Sequence, residues 1–381
     1  MAFQNLAEAF SPARVTPLSV PILSVVIPTF NERDNVARIS AALEKALAGV
    51  EFEIVFVDDD STDGTLDQIA TLARRNPRIR VIHRIGRRGL STAVSEGMLS
   101  TTSPYICVID ADLQHDERII PQMLRLVMAG DADIAVGSRY TDGGGLGNWD
   151  RKRAAISGTA TRLAKLIAKA PLKDPMSGFF LISRPAFYSA VRDLSGQGYK
   201  ILLDICASAN PTLRLREVPY EFRLRQAGES KLDALVAWEY LMLLADKMFG
   251  NVIPARFLSF TLIGGLGVFV HMAALASLMA SGAASFLTAQ AVATTVAMVF
   301  NFFLNNTLTY RDRRLKGVRA LSLGLATFLA VCSLGAFANV GIANYLFSDA
   351  HYYWWSAGIA GILVGAVWNY AATSIFTWRL K

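Results

Sequence analysis

Short apolar runs alternate with amphipathic stretches through the first half of the chain, and long uncharged apolar stretches fill its last third. The runs at 23–27, 53–57, 79–83, 105–109 and 134–136 have the length and flanking polar turns of buried strands. Each is followed by apolar positions at i, i+3 and i+4, as in Val36, Ile39, Ala42, Leu43 and Leu47. That alternation predicts an α/β, Rossmann-like domain with a mainly parallel sheet and helices on both faces. In such sheets ligands bind outside the carboxyl ends of the strands, so chemistry is expected there.

The last third reads differently. No Lys, Arg, Asp or Glu stands between Arg256 and Arg311. About 20 apolar residues cross the ~30 Å of hydrocarbon, so this stretch predicts two spans, over 257–280 and 283–308, broken near Ser281 and Gly282. The charge-free stretches 320–348 and 350–378 predict one span each, giving an all-α four-helix transmembrane domain. Asn301, Asn305, Asn306, Asn339, Asn344 and Asn369 fall inside these spans. Amides in lipid are costly, so they are expected to pair across helices or to line a polar path.

Composition supports a chain partly in lipid. Hydrophobic residues make up 52% and charged residues 18%, against ~25% charged in soluble domains. The net charge of +7 sits mostly in residues 252–381, where eight Lys and Arg face only Asp312 and Asp349. With no basic, aromatic-interleaved stripe in the first part, no nucleic-acid partner is expected. The basic residues collect at every second span boundary: Arg256, then Arg311, Arg313, Arg314, Lys316 and Arg319, then Arg379 and Lys381. That places both termini and the catalytic half in the cytoplasm. Tyr352, Tyr353, Trp354 and Trp355 fit an outer aromatic belt. Cys107, Cys206 and Cys332 are too few and too scattered for a disulfide framework or a zinc site. The first twenty residues lack a basic stretch followed by an apolar core, so a short tail is expected and not a signal peptide.

The strand ends carry the candidate chemistry. Pro28 to Glu32 follows the first strand, Asp58, Asp59 and Asp60 the second, and Asp110, Ala111, Asp112, Leu113 and Gln114 the fourth. Acids gathered at one rim repel unless a cation meets them. Two carboxylates and an amide oxygen are hard ligands too few to enclose Mg²⁺ or Mn²⁺, which completes its shell with water and phosphate oxygens. The rim is therefore expected to bind a divalent cation and a nucleoside diphosphate. A lone D-x-D is a weak sign, and Asp63 reads as a helix cap. No Walker sequence or G-x-G-x-x-G follows a strand, so ATP hydrolysis and dinucleotide redox chemistry lack their phosphate loops. His83 and His115 take no assigned role, His115 reading as a turn residue.

Six ordered motifs resemble the polyprenyl-phosphate sugar synthases of the inverting family-2 glycosyltransferases, with the dolichol-phosphate mannose synthases nearest among them. They are LSVVIPTFNE at 23–32, VDDDSTDGT at 57–65, VIDADLQHD at 108–116, GSRY at 137–140, DPMSGF at 174–179 and GESKL at 228–232. The final 130 residues resemble the GtrA-like four-helix membrane domain. The resemblance implies a tail at 1–21, a GT-A catalytic domain at 22–230, a juxtamembrane amphipathic helix at 231–252 and a GtrA-like domain at 253–381. It implies that Pro28, Phe30, Glu32, Val57, Asp59, Asp110, Ala111 and Asp112 hold the donor, with Arg225 and Lys231 on its pyrophosphate. It gives the metal to Asp110, Asp112 and Gln114, and the acceptor phosphate to Arg139, Arg153 and Ser157. Phe30 stands where the family has tyrosine, keeping the ring and losing the hydroxyl.

The implied reaction moves mannose from GDP-mannose to a dolichyl or polyprenyl phosphate, with inversion, at the bilayer surface. Asp112, Arg139 and Arg153 are expected to matter most to catalysis. The acceptor is already anionic, so the load is electrostatic. The basic stretch 151–173, in which Arg151, Lys152, Arg153, Arg162, Lys165, Lys169 and Lys173 alternate with apolar residues, is expected to lie among lipid headgroups or else to pack on the sheet. UDP-glucose with undecaprenyl phosphate stays open as the substrate pair. A processive polysaccharide synthase lacks its Q-x-x-R-W motif here, and a flippase or scaffold role leaves the acidic rim unexplained.

Overall fold

The structure is a computed structural model and describes residues 20–145, 163–164, 167–168, 171–196, 198–223, 234–250, 253–282, 285–346 and 353–378. The chain divides into two compact units, Met1–Leu244 and Ala245–Lys381.

The first unit is built on a seven-stranded sheet. Its elements run β1 (Leu23–Thr29), α1 (Arg33–Ala46), β2 (Phe52–Asp58), α2 (Thr65–Arg75), β3 (Ile79–His83), α3 (Leu90–Leu99), β4 (Tyr105–Val108), α4 (Ile120–Met128) and β5 (Ile134–Ser138). Then come β6 (Phe180–Ser183), α5 (Arg184–Tyr188), α6 (Ile201–Ser208), β7 (Leu215–Pro219) and α7 (Ala234–Phe249). The strand order is β3-β2-β1-β4-β6-β5-β7. All pairings are parallel except those of β6, which runs antiparallel to both β4 and β5.

Side chains of β1 alternate between two cores, as a pleated strand requires. Leu23, Val25 and Ile27 pack with Val36, Ile39 and Leu43 of α1 and Met123 of α4. Val26 faces the other way, with Val94 and Met98 of α3 and Ile201, Leu202 and Ile205 of α6. Both faces of the sheet are thus covered, which is why its strands read as continuous apolar runs. The chain reverses its direction of sheet growth between β1 and β4, so their carboxyl ends flank a crevice.

The second unit contains α8 (Ala255–Ala280), α9 (Phe286–Leu304), α10 (Val318–Asn344) and α11 (Trp354–Phe376), with a π-helical turn, Asn305–Thr309, extending α9. Among the described residues four helices are long and apolar enough to cross a membrane.

These helices form two hairpins, α8 with α9 and α10 with α11, whose contacts recur at an interval of 68 residues. Ser259 Oγ meets Thr309 Oγ1 at 2.7 Å, and Thr327 Oγ1 meets Thr377 Oγ1 at 3.3 Å. A Cβ on Gly267 would strike the Asn301 amide, and one on Gly335 would strike the Asn369 amide. Contacts between hairpins are exchanged as well. Phe260 packs on Tyr370 with ring centroids 5.8 Å apart, and Phe328 packs on Phe302 at 5.7 Å. Tyr310 Oη bonds Ser374 Oγ at 2.6 Å, and Trp378 Nε1 donates to Asn306 Oδ1 at 3.1 Å. Tyr310 and Trp378, themselves at matching positions, stack at 4.1 Å and 6°. Reciprocal contacts of this kind are the signature of a twofold relation. The membrane unit is a duplicated hairpin about a local pseudo-twofold axis. The amides divide in consequence: Asn306 bonds across to Trp378, while Oδ1 of Asn301, Asn305 and Asn369 is buried with no hydrogen-bond partner among the described residues.

Candidate active site

Three non-glycine residues among those described adopt left-handed backbone: Asn31 (φ 56°), Asp60 (φ 60°) and Leu113 (φ 60°). They stand just past β1, β2 and β4, at the rim the sequence singles out. Leucine gains nothing locally from this conformation, which costs on the order of 1–3 kcal/mol and persists where surroundings impose it. Its effect is to turn the loop so that Asp112 Oδ1 accepts from the Gln114 amide at 3.2 Å. Gln114 is buried, and its Nε2 donates to the Arg223 carbonyl at 3.1 Å, which fixes the amide with Oε1 opposite.

Asp110 is held from two sides. His115 Nε2 lies 3.2 Å from Asp110 Oδ2, and His115 Nδ1 lies 2.7 Å from Tyr220 Oη. A carboxylate can only accept, so Nε2 carries the proton toward Asp110, and the neutral ring then accepts at Nδ1 from the Tyr220 hydroxyl. Phe179, Tyr220 and Phe222 surround the imidazole at 5.3, 5.6 and 5.5 Å between centroids. His115 is therefore not the turn residue its sequence context suggests but a buried strut for Asp110. On the other side, a Cβ at Gly178 would come within 3.0 Å of Asp110 Oδ2, so glycine there lets the loop close on the carboxylate.

The hard-oxygen set of Asp110, Asp112 and Gln114 suits Mg²⁺ or Mn²⁺: two carboxylates, a fixed amide carbonyl, and a second-shell imidazole on one carboxylate. Among the described residues no group of three His, Cys, Asp or Glu is placed to hold a metal, and Gln114 is the third oxygen donor beside the two carboxylates.

The nucleoside side of the crevice is more enclosed. Pro28 pairs with Val57 across β1 and β2. Val57 and Ala111 are buried in the cores, so they can offer a ligand only their main chain. Asp59 is buried, receives the Gly89 amide at 2.7 Å, and is bound by Arg84 Nη1. Burial raises the Asp59 pKa against the pull of Gly89 and Arg84. Arg84, itself only 3% exposed, also reaches Glu96 at 3.1 Å and Thr92 at 2.6 Å. It is a positioning residue that sequence reasoning missed. Its signal was the basic run Arg84, Arg87 and Arg88 just past a strand. Glu32 accepts from Asn35 Nδ2 at 2.7 Å, and the Phe30 ring is faced by Arg88 Cζ at 4.2 Å.

The phosphate side centres on Arg139. Its Nε and Nη2 bind Asp174 at 2.8 Å each, a bidentate pair with Asp174 wholly buried. Burial alone lowers the Arg139 pKa, but Asp174 more than reverses this and the net shift is upward. The DPMSGF segment is explained residue by residue: Asp174 clamps Arg139, the Met176 carbonyl accepts from Lys200 Nζ at 3.3 Å, and Ser177 Oγ donates to the Gly137 carbonyl at 2.8 Å. Gly178 makes room for Asp110, and Phe179 packs on His115.

Arg153, Ser157, Arg225 and Lys231 lie outside the described residues. Of the basic stretch 151–173, the described Leu163, Ala164, Ile167 and Ala168 pack with Leu203 of α6 and Tyr240, Leu243 and Leu244 of α7. These apolar side chains face protein, which favours packing over immersion among headgroups.

Comparison with known proteins shows the family. Residues 24–189 match the family described as Glycosyl transferase family 2, and residues 259–378 match the GtrA/DPMS transmembrane domain. A dolichol-phosphate mannosyltransferase of Pyrococcus furiosus is 33% identical over 359 residues, covering 93% of this chain and 99% of that protein. Relatives of the same name from Mycosarcoma maydis and Saccharomyces cerevisiae are 35% and 34% identical, covering 67% and 58% of this chain and 90% and 85% of theirs. Glucosyl-3-phosphoglycerate synthase of Mycobacterium tuberculosis, solved with Mg²⁺ and UDP, is 16% identical with a TM-score of 0.44, covering 60% of this chain and 79% of that one. That likeness carries no functional weight. The family match and the mainly parallel sheet define a family-2 glycosyltransferase with a GT-A fold. Within that class, the chain belongs to the dolichol-phosphate mannosyltransferase family, and it is an enzyme with a GtrA-type membrane domain.

Proposed function

We propose that the protein transfers mannose from GDP-mannose to the phosphate of a dolichyl or polyprenyl lipid, with inversion at the anomeric carbon. The observation that supports this reading is that Tyr220, the partner of His115, feels the charges of Asp110, Asp112 and the clamped Arg139 together, at the rim where Gln114 follows Asp112. Together they offer places for a diphosphate and for a second phosphate.

Asp59, Glu32, Phe30 and the main chain at Pro28, Val57 and Ala111 take the nucleoside, with Arg84 holding Asp59 in place. Asp110, Asp112 and Gln114 would hold Mg²⁺ or Mn²⁺, which would offset negative charge on the diphosphate leaving group. Arg225 and Lys231 assist at the pyrophosphate. Arg139, Arg153 and Ser157 fix the acceptor phosphate for in-line attack on the sugar carbon. The lipid phosphate is anionic near neutral pH and needs no strong base, so orientation and charge carry the rate. Basic residues at alternate span boundaries support placing this chemistry on the cytoplasmic face.

The test is to give detergent-solubilised protein GDP-mannose or UDP-glucose, each radiolabelled, with a polyprenyl phosphate and Mn²⁺. Label from GDP-mannose is expected in the organic phase. Label from UDP-glucose alone overturns the assignment of the donor, and none from either overturns the assignment of the reaction.

A further inference from the structure

Lys200, at the amino-terminal edge of α6, belongs to no motif that the reaction has absorbed. Among the described residues its ammonium makes one hydrogen bond, to the Met176 carbonyl at 3.3 Å. Its charge is felt by Arg139, Asp110 and Asp174. Four charged groups thus share one corner of the rim, two cationic and two anionic, and their pairings are unequal. Asp174 spends both oxygens on Arg139, at 2.8 Å each, and one of them also accepts the Arg139 amide at 3.1 Å. Asp110 is engaged by His115 and belongs to the metal-binding set. Lys200 is left with a neutral carbonyl as its bonded partner.

The residue keeps some exposure, yet its ammonium is desolvated enough that burial, then repulsion by Arg139, brings its pKa down to about 8 despite Asp110 and Asp174. Holding two cations together in partly dry surroundings is costly unless an anion joins them. Three ammonium protons with one protein acceptor leave donors for such an anion. A cation bound at Asp110 and Asp112 would sharpen the demand by drawing off the Asp110 charge. An oxyanion with several acceptors meets all of these conditions.

We infer that Lys200 is a further phosphate-binding residue, its ammonium taking an oxygen of the acceptor lipid phosphate alongside Arg139. This rests on the functional reading above, in which Arg139 receives that phosphate. The Met176 carbonyl aims the lysine, so the DPMSGF segment presents both cations, one through Asp174 and the other through Met176. Compact lysine suits a single oxygen here, where the planar guanidinium of Arg139 is already docked edge-on to a carboxylate.

The experiment uses full-length protein in detergent with radiolabelled GDP-mannose, Mn²⁺ and a C55 polyprenyl phosphate. Lys200→Gln keeps a donor for Met176 and loses the charge, Lys200→Met loses both, and Lys200→Arg keeps the charge. Both neutral variants are expected to raise the acceptor KM at least ~10-fold, of the order seen when one charge-assisted bond is lost. GDP affinity, measured by calorimetry with Mn²⁺, should stay within about twofold, and Lys200→Arg should recover most of the acceptor KM. An unchanged acceptor KM in folded Lys200→Gln overturns the inference alone, and so does a parallel loss of GDP affinity. If the wild type transfers no sugar to the lipid phosphate, the functional reading falls and the inference with it. Thermal unfolding identifies a misfolded variant, and if both neutral variants misfold, an acceptor KM for Lys200→Arg more than ~10-fold above the wild type overturns the inference while one near it sustains it.

Discussion

The two units solve opposite problems with polar groups. In the catalytic unit nearly every polar contact at the rim is used once: Arg84 serves Asp59, His115 serves Asp110, Asp174 serves Arg139. In the membrane unit several contacts are used twice, at positions 68 residues apart, and some amide oxygens have no hydrogen-bond partner among the described residues. A site must bring unlike groups to one point, so its residues cannot be interchanged. Helices in lipid need only close approach and a few polar bonds, which small residues and amides supply equally well in both hairpins.

The largest effect expected on one side of this divide is from Asp112→Ala. Transfer should fall at least ~10³-fold as several kcal/mol of metal-borne charge stabilisation is lost. Detergent-resistant helicity of the membrane unit should not change. Retained transfer would remove Asp112 from the metal site. Asp174→Ala comes next, because it strands a buried guanidinium at about 3–5 kcal/mol. Urea unfolding followed by fluorescence should show the loss, and a shift under 1 kcal/mol would mean Arg139 finds another partner. On the other side, Trp378→Ala removes the Tyr310 stack, the Phe302 contact at 5.8 Å and the bond to Asn306, for about 3 kcal/mol. Unfolding in mixed micelles should report it while GDP affinity stays constant. A fall in GDP affinity would break the separation of roles.

The same divide decided what the sequence revealed. Strands β1 to β5 and the four spans were legible because burial on both faces, or immersion in lipid, writes long apolar runs. β6 was missed, and so was β7, which carries Arg216 and Glu217 with only Val218 buried in it. The Asp110, Asp112 and Gln114 rim was legible as a motif at a strand end. His115, Arg84 and Lys200 were not: His115 is oriented by Tyr220, 105 residues on, Arg84 reaches back 25 residues to Asp59, and Lys200 works through the Met176 carbonyl. The duplication lay open, in Asn301-x₈-Tyr310-Arg311 against Asn369-x₈-Trp378-Arg379, but the eye trained on hydropathy counts apolar residues and passes over the rare polar ones that repeat.

A smaller effect tests the corner where cations gather. With its pKa brought down to about 8, Lys200 loses its proton as pH rises through that value, and with it the charge a phosphate would seek. The kcat/KM for lipid phosphate should therefore fall at least about fourfold between pH 8, where half the lysines are already neutral, and pH 9.5, since this ratio reports groups of the free enzyme. Lys200→Arg, charged throughout, should remove that fall, and an identical profile in the two proteins would show that some other group titrates.

The smallest effect bears on the hairpins, and its value lies in equality more than in size. Gly267→Ala drives a methyl group into the Asn301 amide, and Gly335→Ala does the same to Asn369. Asparagine has little freedom to withdraw between packed helices, so each substitution should cost about 1 kcal/mol, within the range of single polar contacts between membrane helices. Because the contacts are duplicates, the two costs should agree within ~0.5 kcal/mol. Adding Asn301→Ala to the first, or Asn369→Ala to the second, removes the struck amide together with an unpartnered Oδ1, so both double variants should regain the loss. Such recovery is the coupling a double-mutant cycle isolates, since each pair is in direct contact. Unfolding in mixed micelles measures all six proteins. Equal coupling in both pairs would show that the hairpins remain energetically interchangeable, whereas coupling confined to one would show that the other has been recruited to something the first does not do.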